Sequence, residues 1–440
     1  MSVRALILGT TGVNKDTALG NFKRYRETQY GEVNFEHLNL EKIILEKNGI
    51  KIFDYLDADE DEQISYWLKG WSELKQRLNH YTDIDLLLSM HAVLVRRSYG
   101  TRSPVKIKRI VEDFKPTIII TLIDDVHIKW YWTHNRAAQR KQKYLGKPTL
   151  EQLLQARRSE ILIGDLITKQ ITDDSPYPPH YVISVWHPAR VLDRIIFRKP
   201  LTTAYLSFPI SKPRKLKLAG DPSGENEING ILKRVSDFES KEHNIALFCP
   251  LTIDEYPLLK LLDDPVVKAY DEEIGEEKDF RVFQMENRWN IRDFYGRETL
   301  LLTDDSKLQG EIKIPIIDKV DEVSDVGGMI RTDVGIRDYR MIRQSNCMAV
   351  FDPVFKTAAG EFKFARGVLN EIEYAQKLKR KIPIYIYQNK SFDPDNLVSK
   401  RFETGSEHVG GQTYGSEYIT LYFDLERLLQ AIATIANSEK

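Results

Sequence analysis

Cysteine is scarce in this chain: Cys249 and Cys347 are the only two among 440 residues. Both lie in apolar, strand-like runs and read as buried thiols of a reducing compartment, which leaves no disulfide framework and no zinc site. Long apolar runs are missing as well, none approaching the roughly 20 residues that span a bilayer. The opening MSVRALILGTTG starts as a strand and lacks a signal peptide's layout. A cytoplasmic protein with no membrane partner is therefore expected. Charge of one sign is not in excess, since 64 basic residues stand against 65 acidic ones, a formal net charge of −1. That balance gives no support to nucleic acid as a partner. Internal repeats, low-complexity tracts and coiled-coil heptads are also lacking.

What is present fits ordinary globular protein, with 42% hydrophobic and 29% charged residues. The length exceeds one typical core, so two domains are expected. Apolar strand-length runs alternate with amphipathic helical segments in both halves. The expected fold class is therefore α/β, with a mainly parallel sheet in each domain. The boundaries read as 1–195 and 196–440, the second domain carrying an insertion near 255–330 that mixes helix-like pieces with strands such as 298–302 and 312–317.

Residues 3–8, VRALIL, form a short apolar strand that runs into Gly9, Thr10, Thr11, Gly12, Val13, Asn14, Lys15, Asp16 and Thr17, then a helix to about Tyr30. Strand, glycine-bearing loop, lysine and helix together suit phosphate: backbone N–H groups and the helix dipole face the anion, and lysine adds charge. Asn14 stands where the usual pattern has its second glycine, and Asp16 where it has a hydroxyl residue. Asparagine tolerates left-handed backbone; Asp16 brings a negative charge towards a polyphosphate. Arg96, Arg97, Arg102, Arg136, Arg140, Arg157 and Arg158 are further phosphate candidates, with Arg136 and Arg140 favoured because their spacing shares one helix face.

This half resembles the adenylate kinase group of P-loop nucleotide kinases. Their loop aligns with Gly9–Thr17 without a gap, and Ile84–Val95 resembles the strand that carries their D-T-H-A, with His91-Ala92 kept and Ser89 in the aspartate's place. Trp130–Arg140 resembles their arginine-bearing lid. The resemblance implies that ATP or another NTP binds at Gly9, Gly12, Asn14, Lys15, Asp16 and Thr17, with Mg²⁺. The changes at Asp16 and Ser89 imply a regulatory or slow domain rather than a brisk kinase.

In the second half, Asp338–Ser345 reads as a short helix, Cys347–Phe351 as a strand, Val368–Leu378 as a helix and Ile382–Tyr387 as a parallel strand. Glu371 falls near the helix start, after a glycine-bearing turn. Alone it reads as a solvated first-turn residue or as a carboxylate at the ligand-binding end of an open sheet. The order R-D, strand, G-V-x-x-E, strand resembles the nucleoside 2-deoxyribosyltransferase family, especially its deoxynucleoside 5′-monophosphate N-glycosidase branch. Tyr205-Leu206-Ser207-Phe208-Pro209 matches the family's Y-L-x-x-P. The resemblance implies a flavodoxin-like sheet over roughly 200–440, Glu371 as nucleophile at the sugar C1′, and Asp338 and Tyr205 assisting it. It also implies a nucleoside or nucleotide substrate and a homo-oligomer. Ala365-Arg366 replaces the serine that branch has before its G-V pair, and Arg366 could hold a phosphate instead. Two functions remain open from sequence: cleavage of an N-glycosidic bond, by hydrolysis or base exchange, or nucleotide sensing by two catalytically degenerate folds.

Overall fold

The computed structural model describes residues 2–10, 12–31, 33–96, 98–138, 148–171, 180–198, 200–210, 213, 223–242, 244–255, 258, 266–271, 276–284, 311–316, 322–356, 361–389, 391, 393, 396–402, 412–414 and 418–438. The chain divides into two compact units. The first comprises Met1–Trp186, Ile253–Asn290 and Leu300–Val334; the second comprises His187–Thr252, Ile291–Thr299 and Gly335–Lys440. The class is α/β in both.

In the first unit, β1 (Arg4–Leu8), β2 (Phe35–Asn39), β3 (Asp85–Met90), β4 (Ile118–Ile123) and β5 (His180–Ser184) form a parallel sheet in the order β2-β3-β1-β4-β5. The runs RALIL, DLLLSM and IIITLI are largely apolar on both faces because helices cover both faces of such a sheet. The unit's helices include α1 (Lys15–Tyr30), α2 (Val126–Ala138) and α3 (Leu150–Ile171). The helix α1 begins after Asn14, whose backbone is left-handed at φ 53°, and ends at Gly31 at φ 76°. These two turns suit residues that tolerate positive φ.

The second unit contains the helices α4 (Ala189–Phe197), α5 (Ser223–Lys241), α6 (Glu322–Arg343, from Gly335 onward), α7 (Arg366–Lys377) and α8 (Leu425–Ser438). Its strands β6 (Thr202–Ser207), β7 (Ile245–Phe248), β8 (Cys347–Phe351), β9 (Ile384–Tyr387) and β10 (Ile419–Tyr422) lie parallel in the order β10-β9-β8-β6-β7. An antiparallel edge strand, Gln412–Tyr414, pairs with β10. Counted along the chain, the parallel order is 2-1-3-4-5, the flavodoxin-like arrangement. In it the chain leaves the first strand to one side and returns to the other, opening a ligand crevice at the carboxyl ends of β6 and β8. The helix α7 seats itself beside that crevice with Val368, Ile372 and Ala375, all buried at three- and four-residue spacing. Burying such valine and isoleucine side chains contributes about 1.5–3 kcal/mol each.

The units differ from the expected 195/196 boundary in two places, and buried ion pairs mark both. The helix α4 belongs with the second unit because its arginines are buried there. Arg190 donates to Glu239 Oε2 at 3.0 Å and to Ser236 Oγ at 2.8 Å, and Arg194 donates to the carbonyls of Ile245 and Glu239. The insertion, in turn, is tied into the first unit. Arg157 on α3 donates to both Glu255 oxygens, at 2.7 and 3.1 Å, and to Asp333 at 3.1 Å, while Glu255 accepts the Val126 N–H that opens α2. The strand expected at 312–317 forms at Glu311–Ile316 in an antiparallel sheet with Val267–Asp271 and Glu276–Gln284, whereas 298–302 lies outside the described residues. The short helix expected at 338–345 is instead the end of the longer α6. The pair Gly327-Gly328 reads as a breaker, but Val323, Val326 and Ile330 bury at helical spacing and override it.

The buried arginine on α4 makes the first prediction. Arg190→Met removes the nearer arginine from the buried Glu239 carboxylate, leaving it Arg194 at 3.8 Å and the Leu247 N–H, so unfolding in urea should show a loss on the order of 3 kcal/mol. Adding Glu239→Gln should restore part of that loss; an Arg190→Met protein as stable as the parent contradicts the assignment.

Candidate active site

In the second unit, Tyr205 and Ser207 alternate on β6 and point to one face of the sheet. Tyr205 Oη donates to Glu371 Oε1 at 3.0 Å, and Ser207 Oγ donates to Oε2 at 2.5 Å. Both oxygens of the Glu371 carboxylate are therefore held by hydroxyls on the strand that borders the crevice. Asp338 lies on α6, where Arg337 donates to its Oδ1 through Nε at 2.9 Å and a terminal nitrogen at 2.8 Å. Beside them, Tyr339 of α6 stacks on Tyr374 of α7, with ring centroids 4.2 Å apart and planes 9° from parallel. That stack fixes the helix bearing Asp338 against the helix bearing Glu371.

The electrostatics follow from this crowding. Burial and then the Asp338 charge push Glu371 up to about 8, against the two hydroxyls and Arg337, which favour its ionised form. Tyr205 is raised well above the usual phenol range by burial and by the Asp338 and Glu371 charges, so it remains a donor. The arrangement can present a carboxylate of raised basicity to an electrophilic carbon, oriented by two hydroxyls. Ser207 and Arg337 were not singled out from sequence. Ser207 was legible in principle, because period-two alternation puts it on the face of Tyr205. Arg366 is the exposed first residue of α7.

In the first unit, the loop after β1 is clipped from below. Glu160 of α3 accepts the Gly9 N–H at 2.9 Å and the Ala92 N–H at 2.8 Å, joining the ends of β1 and β3. Lys129 of α2 donates to Thr10 Oγ1, and burial, with the Arg157 charge, pulls that lysine down to about 7. Gly12 sits at φ 92°, where an added Cβ would meet Thr133 Oγ1 at 3.1 Å. Lys15 is buried and donates to the Gly9 carbonyl; burial lowers its pKa, while Glu41, Glu160 and Asp16 oppose the shift. The negative charge of Asp16 is met by Asn39, which donates to it at 2.6 Å, and by Lys42 at 3.5 Å. Thr17 is exposed one residue further on.

Ser89, in the aspartate's place, and the retained His91 lie at the carboxyl edge of this sheet. Ser89 shares a hydrogen bond with His37 at 2.9 Å. His91 pairs with Glu41 at 3.0 Å, and although burial opposes it, that pairing holds Glu41 down at about 2. Several arginines expected on phosphate are engaged elsewhere. Arg157 and Arg158 bind Asp333, and Arg157 also binds Glu255. Arg96 pairs with Asp57 at 3.0 Å, and Arg102 lies over the Tyr99 ring at 4.0 Å. Glu255 comes from the insertion, Asp333 from just beyond it and Asp57 from the end of the helix Ile52–Asp57, and no local pattern in the sequence announces these partners. The backbone of Arg136 belongs to α2, and Arg97, Arg140 and the Arg136 side chain lie outside the described residues.

No family model matches the chain, and no curated protein is similar to it. A sugar kinase from Janibacter sp., solved unliganded, aligns over 45% of this chain and 92% of its own, at 16% identity and a TM-score of 0.22. At that score the likeness carries no argument about function.

The loop residues fit a polyphosphate. Gly12 and Asn14 hold the positive φ found in anion-binding turns, and Lys15 begins a 16-residue helix. Among the described residues no group of three His, Cys, Asp or Glu is placed to hold a metal ion. No helix is long and apolar enough to cross a membrane among them either.

Two outcomes follow. Because Glu371 binds its proton more tightly folded than unfolded, the native state loses stability as pH rises from the ordinary carboxylate range through about 8. Glu371→Gln removes that dependence. Its melting temperature should gain on the parent's as pH is raised from 5 to 8, and a constant difference contradicts the raised value. Lys15→Ala should weaken ATP binding by about tenfold or more in calorimetry while the fold persists; unchanged affinity removes the loop from nucleotide binding.

Proposed function

We propose that the second unit cleaves the N-glycosidic bond of a nucleoside, nucleotide or dinucleotide, by hydrolysis or base exchange. The first unit binds ATP or another NTP with Mg²⁺, and regulates that reaction or acts as a weak kinase. The observation that carries this reading is the double anchoring of the Glu371 carboxylate by Tyr205 and Ser207 at the crevice of the sheet.

Breaking an N-glycosidic bond leaves an oxocarbenium-like centre at C1′. Glu371 captures or stabilises it from the face opposite the base, as in retaining glycosidases. Tyr205 and Ser207 hold the carboxylate in its attacking orientation, and Asp338 raises its basicity. Water then accepts the sugar in hydrolysis, and a second base does so in exchange. In the first unit, Lys15 and the N–H groups around Gly12 and Asn14 hold the phosphates. Mg²⁺ arriving with the nucleotide would neutralise phosphate charge there.

A second reading, nucleotide sensing by the first unit, is favoured by one feature of its loop. Lys15 is buried against the Gly9 carbonyl, and Ser89 bonds His37 where the kinase pattern has a carboxylate. A binding domain tolerates both features more readily than a phosphotransferase does.

Incubation with nucleosides, dNMPs, NTPs and NAD⁺, with and without ATP–Mg²⁺, followed by chromatography for free base, tests the main reading. At least one substrate should release base. Glu371→Gln should then lower the rate on the order of a thousandfold or more. Base release at the parental rate in that variant removes Glu371 from the chemistry, and no release from any substrate leaves sensing as the function.

A further inference from the structure

The first unit holds one of its own carboxylates in surroundings that also suit a phosphate. Glu255, its side chain fully buried, takes one hydrogen bond from the Arg157 guanidinium on each oxygen, at 2.7 and 3.1 Å. Its Oε1 also accepts the Val126 N–H at 2.9 Å, at the start of the 13-residue helix α2. One turn along α2, Lys129 feels the charges of both Arg157 and Glu255. Arg157 and Arg158 hold a second carboxylate, Asp333, the former at 3.1 Å. The residue before Glu255 is clamped as well, since Asp125 Oδ1 accepts the Asp254 N–H. A planar arginine fork, a helix N-terminus and a nearby lysine are the donors that a phosphoryl group takes.

These donors border the nucleotide loop. Lys129 donates to Thr10 Oγ1 within that loop. Glu160, which takes the Gly9 N–H at 2.9 Å, follows Arg157 on α3 by one helical turn, about 5 Å. Arg157 also donates to the carbonyl of Asp124, the first residue after β4. Glu255, Asp333 and the loop all belong to the first compact unit. A buried arginine–carboxylate pair is a weak source of stability, because both charges give up their water. It is a barrier to any other anion, because two negative groups repel each other on one guanidinium fork.

We propose that the Val126 N–H, Arg157 and Lys129 form a subsite for the terminal phosphate of a nucleotide held by the loop, and that Glu255 occupies it as a built-in competitor. The inference rests on nucleotide binding by the first unit and deepens that reading. In the present arrangement Glu255 neutralises Arg157, and a polyphosphate reaching from the loop has to displace it. Asp333 stays on Arg158 and keeps the arginine pair in place. Displacement releases Asp254 and Glu255 from the start of α2. ATP affinity is therefore lowered by the competition, and the position of this segment reports whether a polyphosphate is bound. A nucleoside, which carries no phosphate, leaves Glu255 where it is.

Calorimetry with ATP–Mg²⁺ and with adenosine tests this on the parent and on Glu255→Gln, which keeps the side chain's size and loses its charge. Glu255→Gln should bind ATP about tenfold more tightly, while its affinity for adenosine moves by about twofold or less. Adding Arg157→Met should abolish the gain, because the fork that takes the phosphate is then gone. In the parent itself, hydrogen exchange should show Asp254 losing protection on addition of ATP–Mg²⁺ and keeping it with adenosine. Unchanged or weaker ATP affinity in folded Glu255→Gln overturns the proposal, and so does unchanged exchange at Asp254 in the ATP-saturated parent. If Lys15→Ala still weakens ATP binding in that case, nucleotide binding stands without the competitor. ATP bound by neither the parent nor Glu255→Gln overturns both. Should Glu255→Gln fail to fold, the exchange measurement on the parent decides alone.

Discussion

Both oxygens of one carboxylate are fixed by hydroxyls from a single strand, and the second unit's candidate chemistry depends on that contact. Tyr205 and Ser207 can reach Glu371 only because β6 borders the crevice and α7 packs its apolar stripe beside it. The cost of the contact is a carboxylate partly removed from water next to Asp338, and its raised proton affinity follows. Such a site is less stable ionised than solvated, which is the usual condition of groups held ready for reaction. The Tyr339–Tyr374 stack keeps the two helices from relaxing apart to relieve the repulsion.

The first unit applies the same physics with a different result. Two of its lysines are buried, and each is answered by backbone or hydroxyl oxygen: Lys15 by Gly9 and Lys129 by Thr10. Asp16, which in sequence argues against phosphate, is neutralised from β2 and the helix after it. The objection drawn from charge thus weakens, while the loss of a carboxylate at Ser89 stands. A loop that binds nucleotide and transfers phosphate slowly accommodates both facts.

Much of the fold was legible because its signals are local. The runs VRALIL, CMAVF and TIIITLI are mostly apolar and fall in parallel strands, and the Gly31 stop of α1 lies beside the expected end at Tyr30. The length of α6 was not, because two glycines mask a helix that is held by burial rather than by propensity. The partners of Arg157 were hidden for a different reason: Glu255 and Asp333 lie 98 and 176 residues away, and only the fold brings them together. At the site, Tyr205, Asp338 and Glu371 stood out through ordered short motifs. Ser207 did not, since its role comes from the face of the sheet it occupies.

The most direct measurement of the central claim is rapid-quench mass spectrometry of the intact protein with a substrate from which base is released, followed by peptide mapping. Nucleophilic attack by Glu371 predicts a transient mass increase equal to the glycosyl group, located on the peptide containing Glu371 and absent from Glu371→Gln. A glycosyl adduct on another residue, or full-rate base release by Glu371→Gln, would contradict it.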